Sequence, residues 1–485
     1  MSSSRLVRLL KASGIYALGN ALNRLGGFLL LPLYTSYLSS AEYGTLELLY
    51  ATSSVVGAIL SVGIASATLR FYFDYEDPRD RHAVISTNFW ASLGLSVPGV
   101  LIALAVLLPF FDRIFPAGTP RWALGLILVT TCLELSTEVL LAYVRAREKA
   151  VFFATISLAK LLVQCGANFY FVRVAQQGVG GVISGNLLAV GAEWLLLAGW
   201  GLRHTGLAFH WHKLLPVLRY CLPFLLTTLV GVVQGNFDRF LAGTLISLQA
   251  LGLYAVAQKF SRVLVDFVGI PFSLAYGGFR FEMMKSETAP QTQGRIVLYL
   301  AVLLSVLGLA MIYLIDDVLR LMTDPQYWPA AQQMPFLVSA SVLGVLITPA
   351  QTGILYAKQS RDIFYINVLG ATCGLTLAAV LAPTWGITGL AVAVMVNNAI
   401  QLLITARWAH AFLPAQYPRG PLVGLAVLWV GFNLAPWLLE RYAGMSPSLA
   451  QDAILWLGFV LALPATGVIP ASDLLALRRK LRRGG

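Results

Sequence analysis

A helix needs about 20 consecutive apolar residues to cross the hydrocarbon of a bilayer, and this chain supplies such runs from end to end. Read at that length, they fall at roughly 12–33, 44–71, 84–108, 121–143, 151–173, 179–201, 218–245, 252–281, 295–315, 329–356, 363–383, 387–409, 420–440 and 450–470. Inside lipid the backbone must satisfy its own hydrogen bonds, and among runs of this length only helices do so. The expected fold is therefore an all-α integral membrane protein of about 14 transmembrane helices. Composition agrees: 12% of the 485 residues are charged and 58% hydrophobic, against about 25% charged in a soluble domain. Pro32, Pro98, Pro223, Pro271, Pro349 and Pro436 interrupt these runs, as happens at bending points in transporters. MSSSRLVRLLK at the start precedes a long apolar helix with no small-residue cleavage site, which reads as an uncleaved first span.

Orientation follows from the basic residues. Alternate connections, beginning with the N-terminal segment and ending with the tail LRRKLRRGG, hold 24 of the 34 Lys and Arg; the opposite connections hold 5 (Arg113, Arg121, Arg173, Arg320, Arg441). A bias of that size puts both termini in the cytoplasm. It also accounts for the net charge of +12 without nucleic acid, leaving the basic tail as a topology and lipid-headgroup anchor.

The chain also repeats itself. YLSSAEYGTL (Tyr37–Leu46) returns as LISLQALGLY (Leu245–Tyr254), aligning Ser39 with Ser247 and Gly44 with Gly252. GVGG at Gly178–Gly181 returns as GITG at Gly386–Gly389, all at an offset of 208. Between them YVRAREKAVF (Tyr143–Phe152) matches YAKQSRDIFY (Tyr356–Tyr365) at an offset of 213. Matches spread over half the chain indicate an internal duplication. Six spans separate the copies, so they share one orientation and are related by a pseudo-two-fold axis along the membrane normal. The expected organisation is an N-terminal six-helix lobe (1–210), a second six-helix lobe (211–412) and an additional transmembrane hairpin with a basic tail (413–485).

Against this apolar background the hairpin from Leu222 to Phe267 carries Asp238, Arg239, Lys259, Arg262 and Asp266. An ionised group at the bilayer centre costs about 2.5–3.5 kcal/mol even on insertion scales. Five in one hairpin imply a water-filled cavity lined by this pair of helices. In the first span Tyr16, Asn20 and Arg24 share a face, with Asn23 beside them. Lys259, Arg262 and Asp266 form a stripe on the eighth span. In total five bases (with Lys160) face six acids within the spans: Glu47, Glu134, Glu138, Glu193, Asp238 and Asp266. The region is thus near neutral rather than a simple basic funnel.

NRLGGFLLLPLYTSYLSSAEYG near the N-terminus, FDRFLAGTLISLQALGLYAVA in the second half and YWPAA at Tyr327–Ala331 resemble Wzx-type polysaccharide flippases of the MOP (MATE-like) exporter superfamily, which also holds MATE drug exporters and lipid II flippases. The resemblance implies that spans 1, 2, 7 and 8 face a central cavity opening alternately to each side, that an undecaprenyl-pyrophosphate-linked oligosaccharide is moved to the outer leaflet, and that spans 13 and 14 shelter its lipid tail. Arginine forks bind phosphate oxygens bidentately and lysine acts as a point charge, so Arg24, Arg239, Lys259 and Arg262, with Asn20 and Asn23, are the candidates for the pyrophosphate and sugar head. The competing structural roles are an Arg239 paired with a neighbouring carboxylate and an Arg262 paired with Asp266. Glu134 and Glu138, at i and i+4 on the fourth span, are candidates for proton or sodium coupling, as are Asp238 and Asp266. Their alternatives are a partner for Lys160 and a headgroup-level position for Glu138.

Other motifs carry less. Cys132, Cys165, Cys221 and Cys373 stand alone in apolar runs and read as small core residues. His210 and His212 beside Lys213 lack a third metal ligand, and DYEDPRD (Asp74–Asp80) reads as a solvated turn. No GxxxxGK[ST] is present. The expectation is a transporter rather than an enzyme, with no cofactor or metal, driven by a proton or sodium gradient. It would be a monomer in the bacterial inner membrane, its partners a lipid-linked oligosaccharide, membrane lipids, a polysaccharide polymerase and glycosyltransferases. The alternatives are a MATE-like drug or metabolite exporter and a lipid II-type flippase. A membrane glycosyltransferase would need an outer domain bearing catalytic acids, yet no outer connection exceeds about 14 residues. A scaffold without transport would not need charges at mid-bilayer depth.

Overall fold

The computed structural model describes residues 15, 19, 26–115, 119–443 and 448–469. Every regular element in them is helical, and ten helical segments are long and apolar enough to cross a membrane. This is an all-α multi-pass membrane fold. The chain forms two compact units, 1–252 and 253–485.

The first unit runs α1 (Leu31–Tyr37), α2 (Ser40–Ser61), α3 (Ile64–Asp74), α4 (Pro78–Leu107), α5 (Arg121–Ala146), α6 (Ala150–Asn168), α7 (Gly178–Thr205) and α8 (Trp211–Leu241). Helix α9 (Leu248–Leu264) begins in this unit and continues into the second. Then come α10 (Ile270–Met283), α11 (Ala289–Met322), α12 (Met334–Ala350), α13 (Thr352–Tyr356), α14 (Ser360–Ala409), α15 (Arg419–Ala443) and α16 (Leu449–Ala465). Helix α14 is two helices in physical terms, because Gly386 at φ 59°, ψ −141° breaks it.

The repeated sequence motifs perform repeated structural tasks. Ser39 caps α2, its hydroxyl accepting from the Glu42 N–H at 3.2 Å while the Glu42 carboxylate accepts from the Ser39 N–H at 2.8 Å. Ser247 accepts from the Ala250 N–H at 3.1 Å at the start of α9; alanine there leaves no side chain to complete the reciprocal box. Gly178 and Gly386 both hold left-handed φ values, 54° and 59°, which cost an L side chain strain but cost glycine little. Glu148 and Lys358 are left-handed too, at 53° and 59°. Their turns close with the same bonds, Lys149 N–H to Val144 O at 3.2 Å and Gln359 N–H to Ile354 O at 3.1 Å. The structural equivalence at these turns is therefore 210 residues, not the 213 read by matching letters; the backbone bonds locate the gap that side-chain similarity misplaced.

Gly44 and Gly252 do more than correspond. A methyl group on Gly44 would fall on the Leu248 carbonyl, and one on Gly252 on the Ser40 carbonyl. The first turns of α2 and α9 thus touch backbone to backbone, an approach only small residues permit.

Between lipid-soluble helices, packing and hydrogen bonding replace the hydrophobic effect as the source of cohesion. In the first unit Ile85, Phe89, Val139, Tyr143, Phe153 and Leu197 form a buried cluster joining α4, α5, α6 and α7. In the second, a proline and a helix end create the demand and side chains meet it. Pro436 cannot donate to the Phe432 carbonyl, and the Tyr313 hydroxyl of α11 donates to it instead at 2.6 Å. At the end of α12 the Pro349 carbonyl accepts from Gln293 Nε2 at 2.6 Å and from the Thr352 hydroxyl at 2.7 Å. The Tyr276 hydroxyl donates to Gln293 Oε1 at 2.6 Å in the same buried group.

Candidate functional site

Within the first unit the charges gather in two places. Arg239 of α8 meets Glu47 of α2 at 3.5 Å, with Glu47 almost wholly enclosed. Beside it Asp238 is buried, and its carboxylate accepts from the Arg239 N–H at 2.9 Å. The competing role set out for Arg239, pairing with a neighbouring carboxylate, thus describes its contact with Glu47. Its guanidinium is a pinned charge, not a loose one.

The second gathering lies between α6 and α7. Lys160 Nζ stands 2.7 Å from Glu193, whose side chain is 1% exposed. Glu134 of α5 lies within electrostatic reach of Lys160, and Glu138 is exposed. Glu138 approaches Arg145 at 3.8 Å near the end of α5. The two acids expected as one coupled pair therefore have different partners, because a turn of helix carries Glu138 toward the basic end of α5.

From Lys160 a polar seam climbs α6. Gln164 Nε2 donates to Asn186 Oδ1 at 2.9 Å, and Asn168 Nδ2 donates to the same oxygen at 3.2 Å. The Tyr34 hydroxyl donates to Asn168 Oδ1 at 3.2 Å, and Asn186 donates to the Tyr50 hydroxyl. Tyr50 in turn feels the charges of Glu47 and Glu134. Asn168 fits because residue 185 is glycine; a Cβ there would strike its amide. Low dielectric strengthens such a string of bonds. The seam escaped the sequence reading, although Lys160, Gln164 and Asn168 are spaced i, i+4, i+8 and so share one face of α6.

In the second unit Lys259 and Asp266 are half-buried and Arg262 is exposed. Among the described residues Arg262 makes no ion pair with Asp266. A π-helical turn, Val265–Gly269, starts just before Asp266. It under-winds the helix from Val265 onward. Another π turn, Ala242–Ile246, follows Arg239. Such turns recur at functional positions. Along the second half of α14, Asn397, Gln401 and Thr405 form a buried polar face, and Gln401 Nε2 donates to Asn367 Oδ1 at 3.1 Å. The expected cavity residues of the first span, Tyr16, Asn20, Asn23 and Arg24, lie outside the described residues, as does the basic tail.

Among the described residues no group of three or more His, Cys, Asp or Glu is placed to hold a metal. Long apolar helices bearing ion pairs and polar seams define a polytopic membrane protein. The family model described as a polysaccharide biosynthesis protein matches residues 36–276. In fold the chain is similar to the lipid II flippase MurJ in an inward closed conformation, at TM-score 0.69 and 12% identity over 95% of this chain and 99% of that one. It is similar to an outward-facing multidrug resistance MATE family transporter of the MOP superfamily at 0.56 and 16%, over 84% and 96%. A MOP superfamily transporter from Pyrococcus furiosus gives 0.54 and 16%, also over 84% and 96%. No curated protein matches the chain. The chain is a polytopic membrane protein whose fold is similar to that of these transporters, and its residues 36–276 match the polysaccharide biosynthesis family model.

Proposed function

We propose that this protein is an alternating-access flippase for a polyprenyl-pyrophosphate-linked saccharide, working in the bacterial inner membrane with both termini in the cytoplasm. In this reading fourteen spans form two six-helix lobes and a C-terminal hairpin, with the charged helices α8 and α9 lining a wet cavity. The observation that carries it is the set Asp238, Arg239, Lys259, Arg262 and Asp266, the last three on the segment Leu248–Met283, which is apolar enough to cross a membrane. Ionisable groups at that depth mark a substrate or ion pathway. Arg262, exposed and without an ion pair among the described residues, is the best placed of the described candidates to meet a pyrophosphate. Arg24, with Asn20 and Asn23, would share that task. Lys259 would add a mobile charge, and Arg239 a charge already shared with Glu47.

Within this class a lipid II-type saccharide has the stronger structural support. The likeness to the lipid II flippase reaches 0.69 over nearly all of both chains, against 0.56 for the drug exporter. A longer oligosaccharide for surface polysaccharide is supported by the family model. Coupling to a proton or sodium gradient would use Glu134 beside Lys160 and Glu193, with Glu138, Asp238 and Asp266 as the other candidates.

Mass spectrometry of lipids that co-purify with the protein tests the reading. A polyprenyl-pyrophosphate saccharide retained by wild type and lost in Arg262→Ala is the expected result. Retention of amphiphilic drug-like cations in its place would turn the assignment to an exporter.

A further inference from the structure

Where α3 ends at Asp74, α5 ends at Ala146, α6 begins at Ala150 and α7 ends at Thr205, aromatic rings run side by side. Tyr72 and Tyr143 lie 5.9 Å apart, and Tyr143 and Trp200 5.4 Å, between ring centres. Each ring carries a cation. Arg81 lies 5.4 Å from the Tyr72 ring, Arg147 5.8 Å from Tyr143, and the Lys149 ammonium 4.9 Å from Trp200. Arg147 also donates to the Tyr143 hydroxyl at 3.1 Å. Among the described residues none of these three cations is in an ion pair with a carboxylate. The neighbouring Glu138 is engaged by Arg145, and Glu148 is exposed at the left-handed turn residue between Arg147 and Lys149.

We infer that this platform binds the headgroup of an anionic phospholipid. A ring holds a guanidinium or ammonium by its face while leaving N–H donors free at the edge. Rings of this kind settle at headgroup depth, and the connections on this side hold most of the chain's basic residues. Left-handed backbone at a non-glycine residue is strained, and here it sets Arg147 and Lys149 on the two sides of one turn. The matching turn of the second unit separates shape from chemistry. It has the same backbone at Lys358, with Arg361 beyond, but among the described residues neither cation lies over a ring. The inference does not rest on the nature of the transported substrate.

The test is native mass spectrometry of the full chain in an uncharged detergent, titrated with phosphatidylglycerol or with phosphatidylcholine of the same acyl chains. Two surface cations near a membrane are worth roughly tenfold or more in affinity. Arg147→Gln/Lys149→Gln should therefore weaken phosphatidylglycerol binding by about that factor and leave phosphatidylcholine unchanged. Lys358→Gln/Arg361→Gln should change either by less than about twofold. Equal loss in the two double variants, or wild-type binding in the first, overturns the inference. Should the first double variant lose its thermal transition, Lys149→Gln alone carries the test. A drop of about fivefold supports the platform, and no drop refutes it.

Discussion

Two helix pairs in this protein stand in the same place in the repeat and are filled differently. In the first unit α6 meets α7 through Lys160 and Glu193 at 2.7 Å. In the second, the two halves of α14 meet through Asn367 and Gln401 at 3.1 Å. Gln401 follows Glu193 by 208 residues, the offset that also relates the glycines of the preceding turns. One seam is ionic and the other neutral, on a backbone that turns alike at Gly178 and Gly386. A buried ion pair is a poor route to stability, since desolvation absorbs much of its attraction. A neutral amide pair does the joining at lower cost. In the function proposed above, the ionic version in the first unit would serve a change of charge during transport, with Glu134, within electrostatic reach of Lys160, as the coupling candidate.

Breaking one partner should separate the seams most sharply. Glu193→Leu strands Lys160 in a low-dielectric site and should destabilise by about 3–5 kcal/mol. Gln401→Leu leaves an amide short of one partner and should cost about 1–3 kcal/mol. Thermal unfolding in detergent measures both, and equal losses would make the contrast empty.

Next in size is the contact between repeated motifs. Gly44→Ala and Gly252→Ala each press a methyl group onto a backbone carbonyl, whereas Gly94→Ala meets nothing within 4 Å. The first two should lose about 1–3 kcal/mol, the range for overpacking. Gly94→Ala should be neutral or stabilise by up to about 1 kcal/mol, as alanine favours helix. Matching melting temperatures for all three would mean that α2 and α9 part without cost.

A subtler change converts one seam into the other. Lys160→Asn with Glu193→Gln should keep stability within about 1.5 kcal/mol of wild type, because both charges leave together. In reconstituted vesicles it should abolish any dependence of transport on an imposed proton or sodium gradient. Glu134→Gln should weaken that dependence while sparing the fold. Gradient-driven transport that survives both would remove this seam from the coupling mechanism.

The smallest effect concerns the caps. Ser39→Ala removes a reciprocal capping box and should cost about 1–2 kcal/mol, while Ser247→Ala removes a single bond and should cost about 0.5–1 kcal/mol. Only a difference between the two, read by unfolding, distinguishes the copies at this level.

Much of this was legible beforehand. The expected fourth span, 121–143, is Arg121–Ala146, and the expected sixth, 179–201, is Gly178–Thr205. The duplication was visible in Ser39 and Ser247, and in Gly44 and Gly252, because caps and close contacts restrict residue type. The site was legible only as a set of charges. Arg239 and Glu47 are 192 residues apart and Lys160 and Glu193 are 33 apart, and no local rule pairs them. The π turn at Val265–Gly269 leaves no mark in the residue types.

The amino-acid order alone thus determined that this chain lives in a membrane and that it is helical. Those properties are sums over local free energies: apolar residues per turn, a cap at a helix start, a glycine where no side chain fits. Which charge faces which was decided only by the packed helices. In a low dielectric a charge is governed by the few atoms within about 4 Å, and those atoms arrive from distant parts of the chain.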